Sequence, residues 1–146
     1  MITRQATFGD APRIKELIDL FVPSGTLLPR TQEFIEDHAE HFVVAVEGRE
    51  IVGCVHLDEY APSLAEIRSV AVDPRAQGRG VGVALVQAAE VLARQREYHT
   101  LFAVSDNESF FLARGFAKRE IPELDRERSE VSRWKGVYAK DLLPAP

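Results

Sequence analysis

The chain has 146 residues, enough for one ordinary core and too few for two, and its 45% hydrophobic and 28% charged content excludes disorder and fibrous repeats. A net charge of −5 with no lysine/arginine block argues against a nucleic-acid backbone as partner, and one cysteine, Cys54, excludes an internal disulfide and fits a reducing, cytoplasmic setting. No apolar run approaches the ~20 residues that span a bilayer, so the expectation is a single domain over residues 1–146 that engages neither membrane nor nucleic acid.

Ile2 to Ala6 reads as a strand, and Thr7 followed by Asp10 marks a helix start. Ile14, Leu17, Ile18 and Phe21 then recur at helical spacing on one apolar face. PSGTLLPRT, residues 23–31, is a proline-bounded loop, after which Thr31 caps a short helix with Phe34 and Ile35. FVVAV at 42–46 and IVGCVHL at 51–57 are strands joined by a hairpin at Glu47-Gly48-Arg49-Glu50. A strand over 65–72 stops at Asp73-Pro74, and a long helix runs from Gly80 to about Gln95. LFAV at 101–104 is a strand, and Phe110 to Leu112 form a short helix that Gly115 ends. A charged loop over 122–136 leads to a last short strand at 137–139. The order β-α-α-β-β-β-α-β-α-β-β joins an antiparallel meander to one parallel β-α-β crossover. The expected fold is α/β, with a central mixed, mostly antiparallel sheet of six to seven strands in a three-layer arrangement with about four helices.

The chemistry concentrates in EIRSVAVDPRAQGRGVGVALVQAAE, residues 66–90. There a strand breaks and Gln77-Gly78-Arg79-Gly80-Val81-Gly82 leads directly into a helix. Alternate glycines let an anion approach the backbone N–H groups, and the helix start adds unpaired donors and the positive end of its dipole. Phosphate or pyrophosphate is the ligand this predicts, with Arg79 as an added charged donor. A P-loop is excluded because no lysine precedes Ser or Thr. A dinucleotide fingerprint fails too, since its last glycine falls on Val83 or Leu85.

Gln77, Gly80 and Gly82 fill the Q/R-x-x-G-x-G/A pattern, and Asn107 is followed by Phe111 to Phe116 as Phe-x-x-x-Gly-Phe. In both, the chain resembles the GNAT superfamily of acetyl-CoA-dependent N-acetyltransferases. GTLLPRT near the start and SRWKGVYAKDL near the end make it most similar to the acetyltransferase domain of N-acetylglutamate synthases, of the short stand-alone type. The resemblance implies acetyl-CoA as co-substrate and no metal. It implies that the amides of Gln77, Gly78, Arg79, Gly80, Val81 and Gly82 hold the pyrophosphate. Val70, Ala71 and Val72 would pair with the pantetheine arm as an added strand, and Asn107 and Phe110 would complete the cofactor site. The reaction expected is direct acetylation of an amino acid's α-amine, most of all that of L-glutamate, the first step of arginine biosynthesis.

An α-ammonium must lose a proton before it attacks a thioester, and Glu66 stands where the family places its base, with His56, Asp58 and Glu59 in reserve. The family's usual tyrosine acid is Phe111 here, so the thiolate leaves unassisted or takes its proton elsewhere, Tyr138 being one substitute. A dicarboxylate calls for guanidinium forks, for which Arg30 and Arg133 are the first candidates and Arg68 and Lys135 the lesser ones. Cys54 reads as core rather than nucleophile, and His38 with His41 lack a third ligand for a metal. The expected partner is a small amino-acid substrate and, at most, a second copy of the chain. Two other readings stay open: a different amine acceptor, and a non-catalytic acetyl-CoA-binding module.

Overall fold

A computed structural model of the chain describes residues 1–124 and 135–142. Its elements are β1 (Ile2–Gln5), α1 (Ala11–Asp19), α2 (Gln32–Asp37), β2 (Phe42–Glu47), β3 (Glu50–Ala61), β4 (Leu64–Val72), α3 (Val81–Gln95), β5 (Thr100–Ser105), α4 (Glu108–Ala113), β6 (Ala117–Lys118) and β7 (Gly136–Asp141). The strands form one sheet in the order β1-β2-β3-β4-β5-β7-β6. Every registered pairing is antiparallel except β4 with β5, which is parallel as the crossover requires. The expected mixed α/β sheet with about four helices is borne out.

Two compact units make up the chain, Met1–Asp58 with Arg68–Leu92 and Glu59–Ile67 with Ala93–Pro146. In the first, Ile14, Leu17 and Ile18 of α1 are fully buried and pack with Ile35, Phe42, Val44 and Cys54. Successive strand residues point to opposite faces, so Gly53, next to Cys54, faces the other way. A Cβ built at Gly53 would lie 2.9 Å from both Leu85 and Val81 of α3. Glycine there is what lets α3 settle against β3, and the layers α1/α2, strands and α3 follow from that alternation. Among the described residues no helix is long and apolar enough to cross a membrane.

In the second unit, Leu64, Phe102, Ile121 and Ala139 form the core. Phe111 of α4 lies edge-on to Phe116, with centroids 5.4 Å apart, and stacks on Tyr138 of β7, with centroids 5.8 Å apart and planes 4° off parallel.

Two differences from the sequence expectation have a local cause. Phe21 lies beyond α1, which ends at Asp19, because Pro23 disfavours helical backbone at Val22; its ring still packs on the α1 core. β3 runs to Ala61 rather than Leu57, since the chain reverses only at Pro62-Ser63, where Ser63 takes a positive φ of 65°.

Candidate active site

The turn between β4 and α3 is held from below. Asp73 donates its N–H to Val52 O at 2.8 Å. Its carboxylate accepts from the Arg75 guanidinium at 3.0 Å, the Arg75 N–H at 2.9 Å and Arg13 at 2.8 Å. Those bonds, Arg75's side chain foremost, hold the Asp73 carboxyl well below the usual carboxylate range. Gln77 reaches back to Val72 O at 3.3 Å. Gly78 and Gly80 then both adopt φ of +80°, a conformation only glycine enters freely, and a Cβ at Gly78, Gly80 or Gly82 would meet no protein atom within 4 Å.

Open space therefore lies in front of three alternate Cβ-less positions. Ala84 is the residue whose N–H reaches Gly80 O, at 3.0 Å, so the amides of Val81, Gly82 and Val83 are those a helix start leaves without intrahelical acceptors. This arrangement fits a pyrophosphate. Arg79 is turned elsewhere: its guanidinium pairs with Glu47 at 2.9 Å and donates to Arg75 O at 3.3 Å. Upstream, Ser69 breaks the regular course of β4 with a φ of 53°, immediately before Val70 to Val72. Val70 and Val72 are half-buried and Ala71 is buried.

A second group of candidates gathers around His56 on β3. The imidazole is 1% exposed and stacks on Phe42, its register partner on β2, at 4.4 Å. Its Nδ1 has no hydrogen-bond partner among the described residues. Burial pushes its pKa down to about 4; Asp58 opposes that shift, while Arg30, Arg68 and His38 reinforce it. At neutral pH His56 is uncharged, and it feels both Arg30 and Arg68. Arg68 pairs with Asp58 at 3.5 Å. Arg30 lies with its guanidinium 5.1 Å from the centre of the Phe34 ring, and Lys15 holds its carbonyl at 3.0 Å.

Arg30 and Arg68, two of the four expected carboxylate binders, thus both act electrostatically on His56. Lys135 is half-buried at the entry to β7, and Arg133 lies outside the described residues. In the second unit Glu66 is 2% exposed, and it is the last β4 residue registered with β5, opposite Phe102. Asn107 occupies the N-cap position of α4, exposed, with its N–H on Ser105 Oγ at 3.0 Å. Phe110 lies half-buried with Arg114 over its ring at 5.1 Å. Cys54 is fully buried, which pushes its thiol up to about 12 and leaves it no part as a nucleophile. Sequence reasoning missed Phe34 and the stacking role of His38. Their signal was an aromatic pair four apart on one helix face, which reads as ordinary core.

The chain's residues 12–119 match the family model described as Acetyltransferase (GNAT) family. The chain belongs to that family. It is 36% identical over 142 residues to an amino-acid acetyltransferase of Neisseria meningitidis, covering 96% of this chain and 33% of that protein. An amino-acid acetyltransferase of Mycobacterium tuberculosis is 32% identical over 123 residues, covering 82% of this chain and 70% of that one. The chain thus spans about a third of the Neisseria protein and most of the mycobacterial one. A crystal structure of N-acetylglutamate synthase from Neisseria gonorrhoeae, complexed with coenzyme A and N-acetyl-glutamate, superimposes with a TM-score of 0.84 at 32% identity, over 98% of this chain and 35% of that one. The expected GNAT fold and an acetyltransferase resembling amino-acid acetyltransferases are borne out, with acetyl-CoA the donor the family uses.

Proposed function

We propose that this chain is an amino-acid N-acetyltransferase that acetylates the α-amine of L-glutamate, giving N-acetyl-L-glutamate. The observation that carries the acceptor is the gathering of Arg30 and Arg68 around a buried, uncharged His56. Two guanidinium groups give a dicarboxylate one fork for each carboxylate, and the neutral imidazole that both act on adds no third charge. The related amino-acid acetyltransferases support the same acceptor class.

Acetyl-CoA, when bound, supplies the acetyl thioester. The amides of residues 77–82 hold its pyrophosphate, and the β4 edge at Val70 to Val72 pairs with the extended pantetheine amides. Arg30 and Arg68 fix the acceptor's carboxylates and so orient its nitrogen. Glu66, buried on β4, takes one proton from the ammonium directly or through a water. The neutral amine then forms the new C–N bond as the C–S bond breaks, with the electron pair leaving on sulfur and the nitrogen's surplus proton passing to solvent. Phe111 offers no proton, and the weak basicity of a thiolate lets it depart without one. A thiol-release assay over the twenty amino acids tests the reading. Turnover highest with L-glutamate is expected; turnover only with uncharged or cationic amines would replace the acceptor, and none with any amine would remove the activity.

A further inference from the structure

Resting on that acceptor reading, we propose that Phe34 is the positioning residue that aims the Arg30 guanidinium at the acceptor's carboxylate. Arg30 ends a loop bounded by Pro23 and Pro29, where a long side chain has many rotamers and no secondary structure to limit them. Its guanidinium is nonetheless seated over the Phe34 ring at 5.1 Å. A ring face attracts a stacked guanidinium without using its N–H donors, which point in the guanidinium plane where a carboxylate binds.

Phe34 is itself fixed from several sides. Thr31 caps α2 by accepting the Phe34 N–H at 3.0 Å, which sets the backbone that carries the ring. His38, one turn on, stacks on the ring at 4.1 Å, and its Nδ1 lies 2.8 Å from Phe34 O. The buried His56 meets the same ring edge-on at 5.7 Å, and is backed by Phe42. The order runs from fixed to adjustable: a strand-borne imidazole holds the ring, and the ring holds the guanidinium. Phe34 touches no reacting atom, so it acts through Arg30.

Two measurements on the full chain test this. The first is independent of the acceptor: the rate at which phenylglyoxal modifies Arg30, followed by peptide mass spectrometry. Phe34→Leu keeps an apolar side chain but removes the ring face, and severalfold faster modification is expected, with Phe34→Tyr at the wild-type rate. The second is steady-state kinetics. Phe34→Leu should raise the L-glutamate KM about tenfold, the scale of a lost partly buried cation–π contact, leave kcat and the acetyl-CoA KM within twofold, and be rescued by Phe34→Tyr. In an Arg30→Ala background the same substitution should change the glutamate KM by less than twofold, since the two residues act as one unit.

Unchanged Arg30 reactivity overturns the proposal, and so does a Phe34→Leu effect that persists without Arg30. If Arg30 reactivity responds as expected but wild-type enzyme acetylates no amino acid, the seating stands and the acceptor reading is what has failed.

Discussion

The turn at 77–82 is a backbone device. Its side chains are few, its residues are contiguous, and what it presents is N–H groups and open space. The cluster around His56 is a side-chain device, drawn from a loop, a helix and three strands that span residues 30 to 68, and its centre is buried. A backbone site tolerates many substitutions outside its glycines, whereas a side-chain site depends on each residue that orients another. Donor and acceptor functions should therefore fail separately, and the predictions below probe that separation.

The largest effect belongs to neither device. Glu66→Gln should keep the fold and both KM values near wild type and lower kcat by ~10²–10⁴-fold, the usual scale of a lost general base. Near-normal kcat across the pH range would move the proton transfer to His56, Asp58, Glu59 or solvent.

Gly82→Val breaks the donor side alone. A Cβ at Gly82 meets no protein atom within 4 Å, so folding is spared while the space for a pyrophosphate is filled. Losing two charge-assisted hydrogen bonds should weaken acetyl-CoA binding by about a hundredfold, read by calorimetry, with an unchanged circular dichroism spectrum. Gly80→Val is the harsher variant, because it adds backbone strain at a φ of +80°.

Arg30→Ala breaks the acceptor side alone. The L-glutamate KM should rise by about ten- to a hundredfold with the acetyl-CoA KM unchanged, and lysine should restore part of the loss as a point charge without the fork. Arg68→Ala should act in the same direction but less strongly, since Arg68 shares its charge with Asp58.

A further effect falls on stability rather than on either site. His56 is held near a pKa of about 4, below the usual imidazole value, so the unfolded chain binds a proton that the folded chain refuses. Stability is fully present above about pH 6.5 and falls as pH drops toward 4, by on the order of 3 kcal/mol. His56→Phe keeps the stack on Phe42 and should flatten that slope in urea titrations at pH 7 and 4.5. An equal slope in both proteins would assign the acid sensitivity to other groups.

What was legible in the sequence follows the same division. The strand-turn-helix with its three glycines announces itself locally, because spacing within six residues determines what the backbone can do. The meander and the parallel crossover were readable for a similar reason, since hairpins and one crossover constrain neighbours, whereas the place of β7 between β5 and β6 was not. Arg30 was visible as an arginine between loop and helix, but its pairing with Arg68 was not, because 38 residues separate them and only the β3–β4 hairpin and α2 bring both beside His56. Phe34 and His38 were invisible as functional residues, since stacking is a tertiary fact that no local pattern encodes. Arg133, the other fork that the sequence suggested, lies outside the described residues.

One measurement bears most directly on two separable devices: a crystal structure of the chain with CoA and N-acetyl-L-glutamate bound together. The account predicts pyrophosphate oxygens within hydrogen-bond distance of the amides of residues 77–82, and the product's carboxylates against Arg30 and Arg68. Carboxylates bound away from both arginines, or a pyrophosphate lying off the glycine turn, would contradict it.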